Sequence, residues 1–542
     1  MRGLNNLFKI SRYSALWAAG LLGGVLAITL SVLGGPATHA SDVYIAQNAS
    51  GGANGADCAN AYAASFFNNS GNWGSGSIGA GTTVHLCATI TTPLTAQGSG
   101  SAGSPITVFF EPGANMTTSV WPSTGAINVD GQSWITIDGG TNGTIANTAN
   151  GTNANHANTV AIHAAPCSNC EFRNLTIADL YDHTSTSDTS VDQTQVNCIQ
   201  FQGSNVLIHD NTMHDSGWCL HQNYTSDSNV RIYNNNISRM DHGIACAGAN
   251  FVVSSEYIYN NHFHDMSNWD TGSSDAYHHD GVHCFNGSGG KIQNLYLYNN
   301  LFDGNEGNCC VTAWVFLEGA AESTPWTDSS GTAYIWNNVF IGSLDSPNGQ
   351  LAVDAGSGHV IYNNTFDMIG TPQSGGKCFN DRGGAGSLKL TMVNNVFNGC
   401  AQPVSMDSAV SSINWDYNAY GNLSGQGNEV FNWTGHTNGS ANSLPAWQSQ
   451  CSCDSHSVGG VVAALAITRG GLPLAGFVGD KGINLMSTAS GSLATLSNGT
   501  TAGNSTAPVV RPSSGSWDIG AFQMGASASL PQPPTGLKAV AK

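Results

Sequence analysis

Charge is what this chain lacks most: of its 542 residues only 9% are Asp, Glu, Lys or Arg, where an average soluble domain carries about 25%. Lys and Arg together number 15. So few cations exclude nucleic acid as a partner, because phosphates are bound by clustered basic groups. Sustained runs of Ala, Glu, Lys and Leu at helical spacing are also missing, which excludes coiled coils and helical solenoids. Beyond the first forty residues no apolar run reaches the ~20 residues that cross a bilayer. Low charge does not mean disorder here. Hydrophobic residues make up 40%, with 13 Trp, 15 Tyr and 19 Phe to bury. With 67 Gly and many Asn and Ser, the chain reads as a large β-dominated globular protein.

The first forty residues read as an export signal. Arg2, Lys9 and Arg12 form a basic start, an apolar stretch runs from Ala15 to Leu33, and Thr38-His39-Ala40 offers small residues before Ser41. An uncleaved anchor is the alternative, because the stretch is just long enough to span a membrane. Cleavage removes three basic and no acidic residues, so the net charge of -19 falls to -22. The expected product is extracytoplasmic, free of the membrane and monomeric, and it repels polyanions unless a cation intervenes. Fourteen cysteines suit an oxidising compartment. Cys58 with Cys87, Cys378 with Cys400, and Cys167 with Cys170 are the sequence-local pairings. Zinc competes for Cys167-Ser-Asn-Cys170, but a lone C-x-x-C has no second pair at finger spacing.

One phrase recurs along the chain. Asn235-Asn236-Ile237, Asn260-Asn261-His262-Phe263, Asn299-Asn300-Leu301-Phe302, Asn337-Asn338-Val339-Phe340, Asn363-Asn364-Thr365-Phe366 and Asn394-Asn395-Val396-Phe397 are versions of it, and Asp210-Asn211-Thr212-Met213 opens the series. Each follows a short alternating strand such as Leu295-Tyr296-Leu297-Tyr298. Spacings in the twenties with longer insertions mark a solenoid, whose units bury their apolar residues only by stacking. Alternation every two residues makes the coil β. Asn at the bends tolerates left-handed backbone, and equivalent Asn in stacked coils can form amide ladders. The Phe or aliphatic residue two places later is expected to form a second, inward ladder.

On these repeats, together with Tyr44-Ile45-Ala46, Trp134-Ile135-Thr136-Ile137-Asp138-Gly139-Gly140 and the closing Trp517-Asp518-Ile519-Gly520-Ala521-Phe522, the chain resembles the right-handed parallel β-helix superfamily with the pectin-lyase-like fold. The resemblance runs from Asp42 to Gln523. It implies an all-β solenoid over 41–523 with loop insertions, irregular last coils and a C-terminal cap within 424–523, and a Pro-rich tail over 524–542. It implies little about chemistry, since such folds host lyases, hydrolases, epimerases and adhesins.

The two longest repeats lie between Asn261 and Asn338, and solenoid insertions emerge on one face, often the binding face. The first carries Trp269-Asp270 and Asp275-Ala276-Tyr277-His278-His279-Asp280-Gly281-Val282-His283-Cys284. The second carries Glu306, Cys309-Cys310, Thr312-Ala313-Trp314-Val315-Phe316-Leu317-Glu318, Glu322 and Trp326. Aromatic faces beside carboxylates suit a sugar, whose ring needs apolar cover while acids handle protons. Strict alternation turns Val282 and Cys284 inward and Gly281 and His283 outward. It likewise turns Val311, Ala313, Val315 and Leu317 inward, and Thr312, Trp314, Phe316 and Glu318 outward. Aligned without gaps, Asp241-His242-Gly243-Ile244-Ala245-Cys246 places Ala245 beneath His283 and Cys246 beneath Cys284.

The expected groove therefore holds Asp280, His283, Glu318, Asp241 and Tyr277 as catalytic candidates. Trp314, Phe316, His279, His242 and Trp269 are its sugar-binding candidates. Asp280 and Glu318 could equally turn the chain before a glycine, and His221 reads as peripheral. Three chemistries compete. Hydrolysis of a neutral or weakly charged glycan by paired carboxylates is favoured, because adjacent coils place carboxylates at workable separations. A lyase or uronate epimerase would use Tyr277, His279 or His283 as base and Asp265, Asp270 or Asp275 for Ca²⁺. A glycan-binding or adhesin solenoid without catalysis is third. A transition-metal site from His278, His279 and His283 is weaker still, because on one strand His279 and His283 stand about 13 Å apart.

Overall fold

The computed structural model describes residues 42–150, 157–183, 193–223, 226–247, 252–266, 279–285, 291–306, 311–318, 332–342, 349–353, 358–368, 376–381, 389–406, 412–423, 430–434, 440–460, 478–500, 502 and 508–524. The leader and nearly all of the Pro-rich tail lie outside these residues, as do Trp269, Asp270, Asp275, Tyr277, His278, Cys309, Cys310, Glu322 and Trp326. Among the described residues no helix is long and apolar enough to cross a membrane.

The described strands form parallel sheets of 14 and 23 strands and one short pair. Each strand bonds to its equivalent one coil away, so chemically alike residues fall into columns. Phe172, Ile208, Ile232, Ile258, Leu297, Ile335 and Ile361 share one register column and are all fully buried. Their flanking residues, such as Tyr259, Tyr298 and Trp336, stack on the opposite face of the same sheet. Alternation thus separates core from surface here as expected.

The Asn-Asn phrase does two jobs. Its first residue turns the chain: Asp210, Asn234, Asn260, Asn299, Asn337, Asn363 and Asn394 have φ between 51° and 62°, a left-handed bend that Asn and Asp accept more readily than bulkier residues. Its second residue builds the ladder. From Asn211 to Asn395 each Nδ2 donates to the Oδ1 of the next coil's Asn at 2.9–3.2 Å, ending on Asn418. The other Nδ2 proton meets a backbone carbonyl, as from Asn300 to Ile258 at 3.0 Å, so these buried amides are satisfied. Two residues on, Phe263, Phe302, Phe340, Phe366, Phe397 and Tyr420 stack with centroids 4.7–5.3 Å apart.

Six disulfides are present among the described residues: Cys58–Cys87, Cys167–Cys170, Cys198–Cys219, Cys246–Cys284, Cys378–Cys400 and Cys451–Cys453. All three sequence-local pairings are among them. Cys167 and Cys170 therefore offer no thiolates to zinc.

At the C-terminal end, helix Leu444–Cys451 starts at Ser443, whose side chain accepts from the Ala446 amide, and stops at Ser452 in a left-handed conformation. Its Trp447 stacks on Phe431 and meets Trp415 edge-on, closing the last coil. The described residues of 478–524 pack along the flank of earlier coils. Leu496 and Trp517 cover the outer aromatic stack at Tyr298 and Trp336. Arg511, fully buried, donates to Asn337 Oδ1 at 3.1 Å and to the Gly520 and Ala521 carbonyls. That latch holds the segment against the coil.

Candidate active site

The strands Thr212–Gln222, Asn236–Ala247, His279–Phe285 and Val311–Glu318 stack at one corner of successive coils. Register places Ala245 against His283 and Cys246 against Cys284, as the gap-free alignment requires. Alternation fails one step earlier. A Cβ on Gly243 would lie 2.5 Å from the Gly281 carbonyl oxygen and 2.9 Å from the Phe263 ring; one on Gly281 would lie 2.7 Å from the Trp314 carbonyl oxygen. Gly243, Gly281 and Trp314 therefore point inward. So does the next column, Ile244, Val282 and Val315, all fully buried. Two successive inward residues bend the strand, so Asp280 before the bend and His283 after it share one face.

The bend assembles a line of polar groups across four coils. The Trp218 indole donates to Asp241 Oδ2 at 3.0 Å, and the same oxygen meets His242 Nδ1 at 2.6 Å. His242 Nε2 faces His283 Nδ1 at 2.8 Å and Asp280 Oδ2 at 3.3 Å. His283 Nε2 reaches Glu318 Oε2 at 3.0 Å. Asp280 Oδ1 accepts from the Ala313 amide at 3.1 Å, which fixes the carboxylate's orientation. Burial grades along the line: the Asp241 and Asp280 side chains are 0% exposed, His283 6% and Glu318 33%. Phe316 stacks on His283 at 4.8 Å and Trp218 lies 5.0 Å from His242, so aromatic rings wall the imidazoles. A line of this kind can pass or store a proton between a dry carboxylate and one that meets solvent.

The family model for a right-handed β-helix region matches residues 125–317, which include this corner as far as Leu317. Together with the parallel columns it settles the architecture. The fold is a right-handed parallel β-helix. No curated protein matches the chain in sequence. Similar solved structures include pectate lyase Pel9A, 14% identical, covering 70% of this β-helix chain and 79% of its own at a TM-score of 0.32. A GH136 lacto-N-biosidase from Eubacterium ramulus is 10% identical, covering 65% and 68% at 0.40. XylC, in complex with xylose, is 11% identical, covering 70% and 84% at 0.36.

The β-helix brings together Asp241, His242, Asp280, His283, Phe316 and Glu318. Trp314 is a correction: it sits in the coil interior, 1% exposed, against Phe302. The corner column points inward, and the glycines at 243 and 281 leave room that the indole fills one coil later. Gly281, expected outward, is corrected for the same reason. His279, 1% exposed, stands at a register shift where its strand begins. The Asp265 carboxylate accepts from the Asn305 amide and meets His264 Nδ1, and these partners outweigh burial to hold its pKa below the ordinary value, while Asp270 and Asp275 lie outside the described residues. Sequence reasoning passed over Trp218, whose indole anchors Asp241. Its signal was the Trp in the strand one coil before Asp241-His242.

Two groups could hold a metal ion among the described residues, His242/Asp280/His283 and Asp179/His214/Asp215. In the second, Arg239 already neutralises Asp215 through two contacts of 2.6 and 2.8 Å. All three residues of the first are buried.

Proposed function

We propose that this chain is an exported enzyme that cleaves a neutral or weakly charged polysaccharide by hydrolysis, with Glu318 as the proton-exchanging carboxyl that meets the substrate. The observation that carries the reading is the hydrogen-bonded line from fully buried Asp241 through His242 and His283 to Glu318. In glycoside hydrolysis a carboxyl gives a proton to the departing sugar oxygen while water adds to the anomeric carbon and releases a proton, and a neighbouring imidazole lets that carboxyl give the one and regain the other. Asp241 and Asp280 lie too deep to touch a glycan in this arrangement. They act as positioning residues for the two imidazoles, while Phe316 keeps His283 in place. The scarcity of Lys and Arg supports a substrate of low charge, since a uronate polymer would need cations to hold it. The leader and the disulfides support export.

A second reading is β-elimination or epimerisation of a uronate. It is favoured by one feature, the His242/Asp280/His283 group, because a cation there would supply positive charge near Glu318. Product analysis on a glycan panel, with and without chelator, separates the readings. New reducing ends without unsaturated product support hydrolysis; unsaturated sugar absorbing in the ultraviolet overturns it. Retained binding without turnover of any glycan would make the protein a glycan-binding solenoid instead.

A further inference from the structure

We propose that His242, Asp280 and His283 form a binding site for a transition-metal ion of the Zn²⁺ type, not for Ca²⁺. The reasoning begins with protons. With an ion bound, His242 would give its Nδ1–H to Asp241 and His283 its Nε2–H to Glu318, since each outer nitrogen lies within 3.0 Å of a carboxylate. His242 Nε2, His283 Nδ1 and Asp280 Oδ2 turn toward one point, where the ion would take the place of the proton shared in the His242–His283 hydrogen bond.

The dimensions fit a metal. The three separations are 2.8, 3.3 and 3.8 Å. Ligands about 2.0–2.1 Å from a tetrahedral Zn²⁺ stand about 3.3 Å from one another, which is the middle of that range. Two imidazoles and one carboxylate are the donors of a borderline-soft ion, whereas Ca²⁺ takes six to eight oxygens. The outer shell is also in place. A carboxylate on the far nitrogen fixes the tautomer of each liganding His and raises its basicity, and here both rings have one, with Asp241 anchored in turn by Trp218. The donors come from two coils, and the Cys246–Cys284 disulfide ties those coils together one position beyond His283. The site is therefore largely formed before any ion arrives.

The inference concerns the same corner as the proposed hydrolysis but does not depend on it, because metal content is measured without a glycan.

The test uses the untagged, oxidised chain stripped with chelator, equilibrated with excess Zn²⁺ and desalted. About one Zn²⁺ per chain is expected by elemental analysis, and Co²⁺ substitution should give visible ligand-field bands. His242→Ala and His283→Ala should lose the ion, His214→Ala should keep it, and Asp241→Asn should weaken binding about 10- to 100-fold. Less than about one-tenth of an equivalent bound, or wild-type affinity in His242→Ala, overturns the site. Where the alanine variants fail to melt cooperatively, Asp241→Asn decides, and unchanged Zn²⁺ affinity there overturns it too. Loss of binding in His214→Ala alone would place the ion at the Asp179 group and refute the assignment.

Discussion

Glu256 offers the sharpest test of the energetics. It points into the apolar interior, in register between Val230 and Leu295, and is fully buried. Among the described residues neither of its carboxylate oxygens has a hydrogen-bond partner. Burial, reinforced by the charge of Asp227, pushes its pKa up to about 8 from the ordinary 4.5. A group whose folded pKa exceeds its unfolded value contributes stability that is fully present below the unfolded pKa and is lost as pH rises through the folded one. The window thus runs from about pH 4.5 to 8. Near pH 7.5 the folded chain must hold a proton that the unfolded chain releases, which costs at most about 4 kcal/mol at 1.36 kcal/mol per unit. Glu256→Gln has the same shape and nothing to protonate. It should stabilise by about 2–4 kcal/mol near pH 7.5 and by close to nothing near pH 4.5. A solenoid this long does not unfold in one step, so the assay is the variant-minus-wild-type difference in Tm at the two pH values. At about 2.1 cal/mol/K of unfolding entropy per residue, the expected gain near pH 7.5 is about 2–4 °C. An equal difference at both pH values, or a lower Tm for the variant near pH 7.5, would refute the reasoning by showing that Glu256 is ionised and compensated.

Three further outcomes are expected. Glu318→Gln should lower glycan turnover about 10²- to 10⁴-fold with little change in Tm, because the side chain is part-exposed and its loss acts on proton transfer; full retained activity would remove Glu318 from the reaction. Asn300→Ala should cost at least about 3 kcal/mol, read as a drop in Tm, because Asn300 accepts from both nitrogens of Asn261 and donates to Ile258 and Asn338. Arg511→Met should release residues 478–524 to limited proteolysis, since it removes the guanidinium's hydrogen bonds to Asn337 Oδ1 and to the Gly520 and Ala521 carbonyls; equal resistance in the variant would show the latch to be dispensable.

Much of the fold was legible because its determinants are local. Asn234 and Asn299 bend the chain through their own backbone preference, and Phe302 finds Phe340 because both sit two places after a ladder Asn. Even the pairing of Ala245 with His283 followed from aligning neighbouring phrases. The corner did not follow. Alternation assumes a straight strand, and at Gly281-Val282 two consecutive residues face inward, which sent Trp314 to the core and brought Asp280 beside His283. The Asp227–Glu256 pair inside the coil gave no sign either, since an acid in an alternating strand reads as a surface residue until its neighbours are known.

The sequence by itself determined the β-solenoid and its ladders, because short-range preferences repeated at near-regular spacing stack like residues in one register. Tertiary structure alone decided which side chains meet. His242 and His283 are 41 residues apart, and His283 and Glu318 are 35 apart. Their contacts depend on how two glycines let the backbone close at a bend, a steric fact set by the neighbouring coils and not by either residue's own identity.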